Sequence, residues 1–157
     1  MRSLLLFLCL LACLATVALA ETRSDPKGLI TYDLPAGWTL KSEEFGSRYV
    51  PAGKKGRTTM GVTAEQQPGQ SGYRWRRKTT LSQLKSQNVE IVKDKKSFQD
   101  GFERWEIVAK GTSGPVRHIV YYFAGKLEVS VYLLADQDQY ESHLGDFQRL
   151  VESVRKK

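Results

Sequence analysis

Apolar and polar residues alternate through the segment from Gly101 to Asp136. A period of two is typical of β-strands, because successive side chains point to opposite faces of a sheet. The segment predicts three strands with short glycine-containing connections, Phe102–Lys110, Val116–Phe123 and Leu127–Leu134. Since short connections join antiparallel neighbours, we expect a meander against which the rest of the chain packs.

Four further strands are predicted before this meander, over Leu29–Leu34, Ser47–Pro51, Thr58–Gln66 and Val89–Phe98. The first should end in a tight turn at Pro35-Ala36-Gly37, which folds Trp38 back onto the edge of the core. The last should form a hairpin with the meander, because Asp100-Gly101 is a strong hairpin signal. The pairing is therefore expected to be local and antiparallel.

A short helix is predicted after the middle of the chain. Thr80 and Gln83 match a capping box, in which each side chain reaches the other residue's backbone amide. The helix should then run from Leu81 to about Gln87, with its leucines facing inward.

A longer amphipathic helix is predicted at the C-terminus. Asp138, with Glu141 three residues later, should cap it. Gly145 inside it costs about 1 kcal/mol relative to alanine, which indicates close approach to a strand or a slight weakness. The apolar residues form one stripe at helical spacing, Tyr140, Leu144, Phe147, Leu150, Val151 and Val154. We expect this stripe to lie on the sheet.

Residues 1–20 have the features of an export signal. Arg2 gives a positive start, an apolar run follows, and Ala18-Leu19-Ala20 places small residues before Glu21. Two alternatives stay open: an uncleaved anchor, since about 20 apolar residues span a bilayer, and acylation at Cys13, since Leu10-Leu11-Ala12-Cys13 resembles a lipobox. We expect a periplasmic or extracellular protein.

The rest of the chain should form one domain. Residues 21–28 are polar and are predicted to be a flexible tether, and 29–157 are enough for a single core. Both cysteines, Cys9 and Cys13, lie in the leader, so cleavage after Ala20 would exclude disulfides, thiolate metal sites and a cysteine nucleophile.

The balance of charge favours an anionic partner. The net charge is +7, and loss of Arg2 with the leader leaves 23 basic against 17 acidic residues. Such a chain attracts anionic lipid, acidic polysaccharide or nucleic acid, and export makes nucleic acid the less expected partner.

The hexapeptide Tyr73-Arg74-Trp75-Arg76-Arg77-Lys78 is the candidate site for that partner. Interleaved aromatic and cationic side chains can hold an anion while Trp75 enters a lipid interface or stacks on a ring. The alternative is that Tyr73 and Trp75 pack inward and the cations are simply solvated.

Signals for catalysis are weak. His118, on the strand face of Val116, Val120 and Tyr122, and His143, in the final helix, are expected to be satisfied structural imidazoles rather than metal ligands. The aspartates Asp136 and Asp138 match only part of a calcium loop, and helix capping explains them. No nucleophile elbow, phosphate-binding loop or dinucleotide fingerprint occurs. We therefore predict no cofactor, no metal and no enzyme activity, with a hydrolase using dispersed carboxylates or His118 as the lesser alternative.

The order of these elements resembles the PsbP-like superfamily. The resemblance rests on the leader, Tyr32-Asp-Leu-Pro-Ala-Gly-Trp38, the meander with Tyr121-Tyr122-Phe123-Ala-Gly125, and the final helix with Phe147-Gln-Arg-Leu-Val-Glu-Ser153. That group includes the extrinsic photosystem subunit, a Ran-binding nuclear-import factor and bacterial envelope proteins of the DcrB type. The resemblance implies an α+β fold, an α/β/α sandwich around a central antiparallel sheet, used as a non-catalytic accessory or binding module. The implied partner is an envelope protein or a small ligand, with an anionic membrane surface or polysaccharide as the alternative.

Overall fold

The computed structural model describes residues 20–53, 56–66 and 72–157. Residues 1–19 of the predicted leader, Lys54, Lys55 and residues 67–71 lie outside these ranges. The described strands are β1 (Glu21–Ser24), β2 (Ile30–Leu34), β3 (Trp38–Ser42), β4 (Ser47–Pro51), β5 (Thr59–Gln66), β6 (Glu90–Gln99), β7 (Phe102–Lys110), β8 (Val116–Ala124), β9 (Leu127–Ala135) and β10 (Arg155–Lys156). The described helices are α1 (Tyr73–Ser86) and α2 (Tyr140–Ser153).

Seven strands form an antiparallel sheet in the order β3-β4-β5-β9-β8-β7-β6. The predicted meander is its β7-β8-β9 portion. Asp100 and Gly101 join β6 to β7 as predicted, and both have the positive φ that a tight hairpin turn requires. The fold is therefore α+β with a central antiparallel sheet, as expected.

Helix α2 covers one face of this sheet, and the predicted apolar stripe carries the contact. Phe147, Leu150 and Val151 are buried against aliphatic residues of β5, β8 and β9. The Tyr122 hydroxyl of β8 donates a hydrogen bond to the Val151 carbonyl at 2.6 Å. Full burial of a leucine or phenylalanine side chain stabilises a fold by about 1.5–3 kcal/mol, so this stripe holds the helix in place.

A second, three-stranded sheet in the order β1-β2-β10 packs beside α2. Trp38, which follows the predicted turn, is buried at the edge of the same core, and its Nε1 donates to Asp146 of α2 at 2.9 Å. Gly37 has a φ of +84°, as the turn requires. The placement of Trp38 is confirmed.

The prediction of a flexible tether over residues 21–28 is wrong, because Glu21–Ser24 pair with β2. The buried carboxylate of Asp25 closes the connection. Its Oδ1 accepts from the amides of Leu29 and Ile30 at 2.6 and 2.8 Å, and its Oδ2 accepts from Lys27 at 2.9 Å. A polar composition therefore concealed a hydrogen-bonded turn.

Helix α1 covers the opposite face and begins eight residues before the predicted start at Leu81. Thr80 is not a cap: it is buried in the middle of the helix, with its hydroxyl 3.5 Å from that of Tyr121. Leu84 packs with Trp105, Ile107 and other residues of β7 and β8 in a second apolar cluster. The two helices thus lie on opposite faces of the sheet.

Two details of α2 also differ from the predictions. The N-cap is Gln139 rather than Asp138, and no side chain caps the helix. Gly145 is exposed, and a Cβ there would meet nothing within 4 Å, so it does not mark close approach to a strand.

No helix in the described part of the chain is both long and apolar enough to cross a bilayer.

Candidate binding surface on helix α1 and strand β6

The six residues predicted as a site, Tyr73–Lys78, form the first two turns of helix α1. At 100° per residue, Tyr73 and Arg77 share the inner face with Leu84, whereas Trp75 points away from the sheet. Gly72 precedes the helix without a side-chain cap. The helical geometry therefore divides the hexapeptide into an inner and an outer set.

The inner set holds the helix to the sheet. Tyr73 packs edge-to-face on Trp105 and Phe123, with ring centroids 6.1 and 6.4 Å away. Arg76 forms an ion pair with Glu128 of β9, and Arg77 forms one with Asp94 of β6. These three residues are structural.

The carboxylates beneath α1 respond to these arginines in different ways. The hydrogen bond from Arg77 lowers the pKa of Asp94, against the opposing effect of burial, and Trp105 Nε1 also donates to Asp94 at 2.8 Å. Burial raises the pKa of Glu128, and its attraction to Arg76 offsets this only in part. Arg76 therefore favours the charged form of Glu128 against the effect of burial.

The outer set is Arg74, Trp75 and Lys78, and all three are exposed. Trp75 is 51% exposed, which is unusual for so large an apolar side chain. Arg74 and Lys78 form no ion pair with any residue in the described ranges. These side chains are available to a partner.

Strand β6 extends this outer set. Phe98 is 76% exposed on the face of the sheet that α1 covers. Lys96 Nζ lies 4.6 Å from the Tyr73 ring centroid and 5.5 Å from that of Phe98, and it also pairs with Glu103. We call Arg74, Trp75, Lys78, Lys96 and Phe98 the basic aromatic surface. Neither Lys96 nor Phe98 was predicted as a site residue, although a phenylalanine that follows a lysine-rich segment was a usable signal.

The charge of α1 is unfavourable for the helix itself. It carries five cations, Arg74, Arg76, Arg77, Lys78 and Lys85, and no acidic residue. Four of these lie near the N-terminus, where the helix dipole favours anions by about 0.3–1 kcal/mol each. Glu128 and Asp94 neutralise two of them. A positive potential remains at Arg74 and Lys78.

His118, the histidine named in the hydrolase alternative, is buried between β7 and α2. Its Nε2 lies 2.8 Å from Glu106 Oε1, and its Nδ1 lies 2.8 Å from the Tyr140 hydroxyl. Both ring nitrogens are thus bonded, which confirms the prediction of a satisfied imidazole. His143 packs against Trp38 instead, with ring centroids 5.2 Å apart.

The chain Glu106–His118–Tyr140 has the connectivity of a base and a hydroxyl nucleophile, but its chemistry is unfavourable. Burial, with the nearby carboxylates Glu141 and Glu106, raises the pKa of Tyr140 to about 12. Its hydroxyl therefore stays protonated at neutral pH, which is unfavourable for a nucleophile. Within the described ranges, no group of three or more His, Cys, Asp or Glu side chains is placed to hold a metal ion.

The structure is similar to solved proteins of low sequence identity. Cyanobacterial PsbP (CyanoP) of Synechocystis sp. PCC 6803 matches with a TM-score of 0.67 and 13% identity over 90% of this chain and 94% of that one. The fold is PsbP-like. PA94 of Pseudomonas aeruginosa, described as a protein of unknown function and a suspected regulator, matches with a TM-score of 0.55 and 9% identity over 78% of this chain and 99% of that one.

No protein-family model matches the chain, and no curated protein matches it in sequence. The likeness to CyanoP therefore establishes the fold, and neither neighbour's description names an enzyme. That assignment agrees with the resemblance drawn from the sequence.

Proposed function

We propose that this PsbP-like protein is an exported, non-catalytic accessory protein of the bacterial envelope that binds an anionic partner through the basic aromatic surface. The observation that carries the proposal is the division of α1. Arg76 and Arg77 are used in ion pairs with the sheet, whereas Arg74, Trp75 and Lys78 are exposed beside them. Cations at a helix N-terminus cost stability, and such local conflicts are typical of functional sites.

Three features support the rest of the proposal. The N-terminal 20 residues have the pattern of an export signal. The likeness to CyanoP fits an accessory role. The best catalytic candidate, His118, is enclosed by Glu106 and Tyr140 in hydrogen bonds that satisfy both nitrogens. A place among DcrB-type envelope proteins is part of the same proposal.

Affinity capture from the solubilised source envelope tests this function. The bait is the processed protein, compared with the double variant Arg74→Glu/Lys78→Glu. The control is Lys41→Glu/Lys157→Glu, which changes the net charge equally at exposed positions outside the surface. We expect a component that the bait and the control retain and the surface variant loses at least tenfold. Equal recovery by all three proteins would refute the proposal that the basic aromatic surface binds the partner.

A hydrolase screen tests the non-catalytic part of the proposal. We expect no turnover above background on ester, peptide, phosphate or glycoside substrates. Turnover that disappears in His118→Ala, with the fold retained by circular dichroism, would favour the enzyme alternative.

A further inference from the structure

We propose that the partner of the basic aromatic surface is the acidic phospholipid surface of a membrane. This inference rests on the proposed function and names the partner of the same site. Trp75 and Phe98 would enter the interfacial region while Arg74 and Lys78 contact lipid phosphates.

The two aromatic residues, Trp75 and Phe98, are placed where both can enter one interface. Trp75 lies on the side of α1 opposite to the sheet, and Phe98 lies beside the same helix on the last strand of the sheet. Lys96 lies between the rings of Tyr73 and Phe98 and so connects the helix to the strand. One layer of the molecule therefore presents two protruding apolar side chains.

The cations beside these aromatic residues favour an acidic surface as the partner. Arg74 and Lys78 have no acidic partner among the described residues, and α1 contains no acidic residue of its own. Each cation close to an anionic membrane strengthens binding roughly fivefold. Two unpaired cations next to a tryptophan match the chemistry of an acidic lipid interface.

The shape of the surface favours lipid over an acidic protein. Side chains that are 51% and 76% exposed protrude from a helix and an edge strand. A protein partner would need a matched pocket for each ring. A fluid interface accommodates both without such complementarity, because lipids rearrange around an inserted side chain.

The tryptophans give the experiment a specific readout. Trp38 and Trp105 are 6% and 0% exposed, so a change in tryptophan emission on binding reports mainly on Trp75. Processed protein is mixed with vesicles of phosphatidylcholine alone or with vesicles that also contain phosphatidylglycerol as the acidic lipid. Binding is followed by co-sedimentation and by emission wavelength.

We expect at least tenfold tighter binding to the acidic vesicles, with a shift of the emission to shorter wavelength. Raising the salt concentration to about 0.5 M should abolish the binding to acidic vesicles, because the Debye length then falls to about 4 Å. Arg74→Glu/Lys78→Glu should weaken binding at least tenfold, and Lys41→Glu/Lys157→Glu less than twofold. Trp75→Ala should remove the emission shift.

Several outcomes would overturn the inference. One is equal binding to both vesicle types, which a retained acyl chain would produce. Another is unchanged binding of the surface variant to acidic vesicles. The third is an emission shift with a soluble acidic polysaccharide equal to the shift with acidic vesicles. If the protein does not bind acidic vesicles while envelope capture still depends on Arg74 and Lys78, the partner is an acidic protein or polysaccharide. The proposed function would then stand without the lipid.

Discussion

The carboxylate of Glu106 and the imidazole of His118 are joined across neighbouring strands, with Oε1 and Nε2 2.8 Å apart. Because Glu106 is ionised, Nε2 carries the proton and donates it. The Tyr140 hydroxyl lies within hydrogen-bonding distance of Nδ1, at 2.8 Å. This chain connects β7 and β8 to the first residue of α2.

The Glu106 group predicts loss of stability in acid. The hydrogen bond from His118, with help from Lys93 and Arg104, lowers the pKa of Glu106 from 4.5 to about 2 although burial opposes it. A lowered folded pKa adds stability that is present above about pH 4.5 and lost as the pH falls towards 2. We expect Glu106 alone to account for a loss of about 3 kcal/mol across this window, since one pKa unit corresponds to about 1.4 kcal/mol.

Urea unfolding at pH 6 and pH 3 measures this effect. The variant Glu106→Gln should be less stable at pH 6, and its loss between the two pH values should be about 2 kcal/mol smaller than that of the wild type. Equal losses in the two proteins would show that Glu106 does not contribute.

Gly61→Ala should destabilise the sheet. Gly61 of β5 pairs with Tyr132 of β9, and a Cβ at Gly61 would overlap the Tyr132 ring. We expect a loss of about 2 kcal/mol, since overpacking typically costs about 1–3 kcal/mol. In a Tyr132→Ala background the same change should cost less than about 0.5 kcal/mol. A cost unchanged by removal of the ring would contradict this explanation.

Gly145→Ala should stabilise the protein. Gly145 is exposed inside α2, and its added Cβ would meet no atom within 4 Å. Alanine loses less backbone entropy in a helix, so we expect a gain of about 0.5–1 kcal/mol in thermal or urea unfolding. A loss of stability would mean that the helix packs against something at this position.

The arginines of α1 should differ in their effect on stability. Arg76→Ala leaves Glu128, which is 6% exposed, without its cation, and we expect a loss of about 3 kcal/mol. Adding Glu128→Gln should recover part of it. Arg74→Ala should change the free energy of unfolding by less than about 0.5 kcal/mol. Equal effects at the two positions would contradict the division of the helix into inner and outer residues.

Elements that are specified by a local turn or an apolar period could be predicted from the sequence. Asp100-Gly101 specified the β6-β7 hairpin, and the alternation of Leu127, Val129, Val131 and Leu133 identified the buried face of β9. The stripe ending at Val154 placed α2 on that face. Each signal was local, because an apolar period or a turn needs no information from distant residues.

Only part of the basic aromatic surface could be predicted from the sequence. The hexapeptide was recognisable by its composition, but α1 has no apolar stripe through its first two turns, so its helical state was missed. Its division into structural and exposed cations depends on Glu128 and Asp94, which lie 52 and 17 positions along from Arg76 and Arg77. Phe98 joined the surface only because β6 lies beside the helix.

The sequence by itself therefore determined strands β2 and β4 to β9, including the meander, and the amphipathic final helix, because their signals are periodic or confined to a few neighbouring residues. Only the tertiary structure decided which cations of α1 are available, that Asp25 closes a turn, and that His118 is enclosed by Glu106 and Tyr140. Ion pairs and hydrogen bonds between distant segments form where the folded backbone brings partners together, and no spacing along the chain encodes those partners.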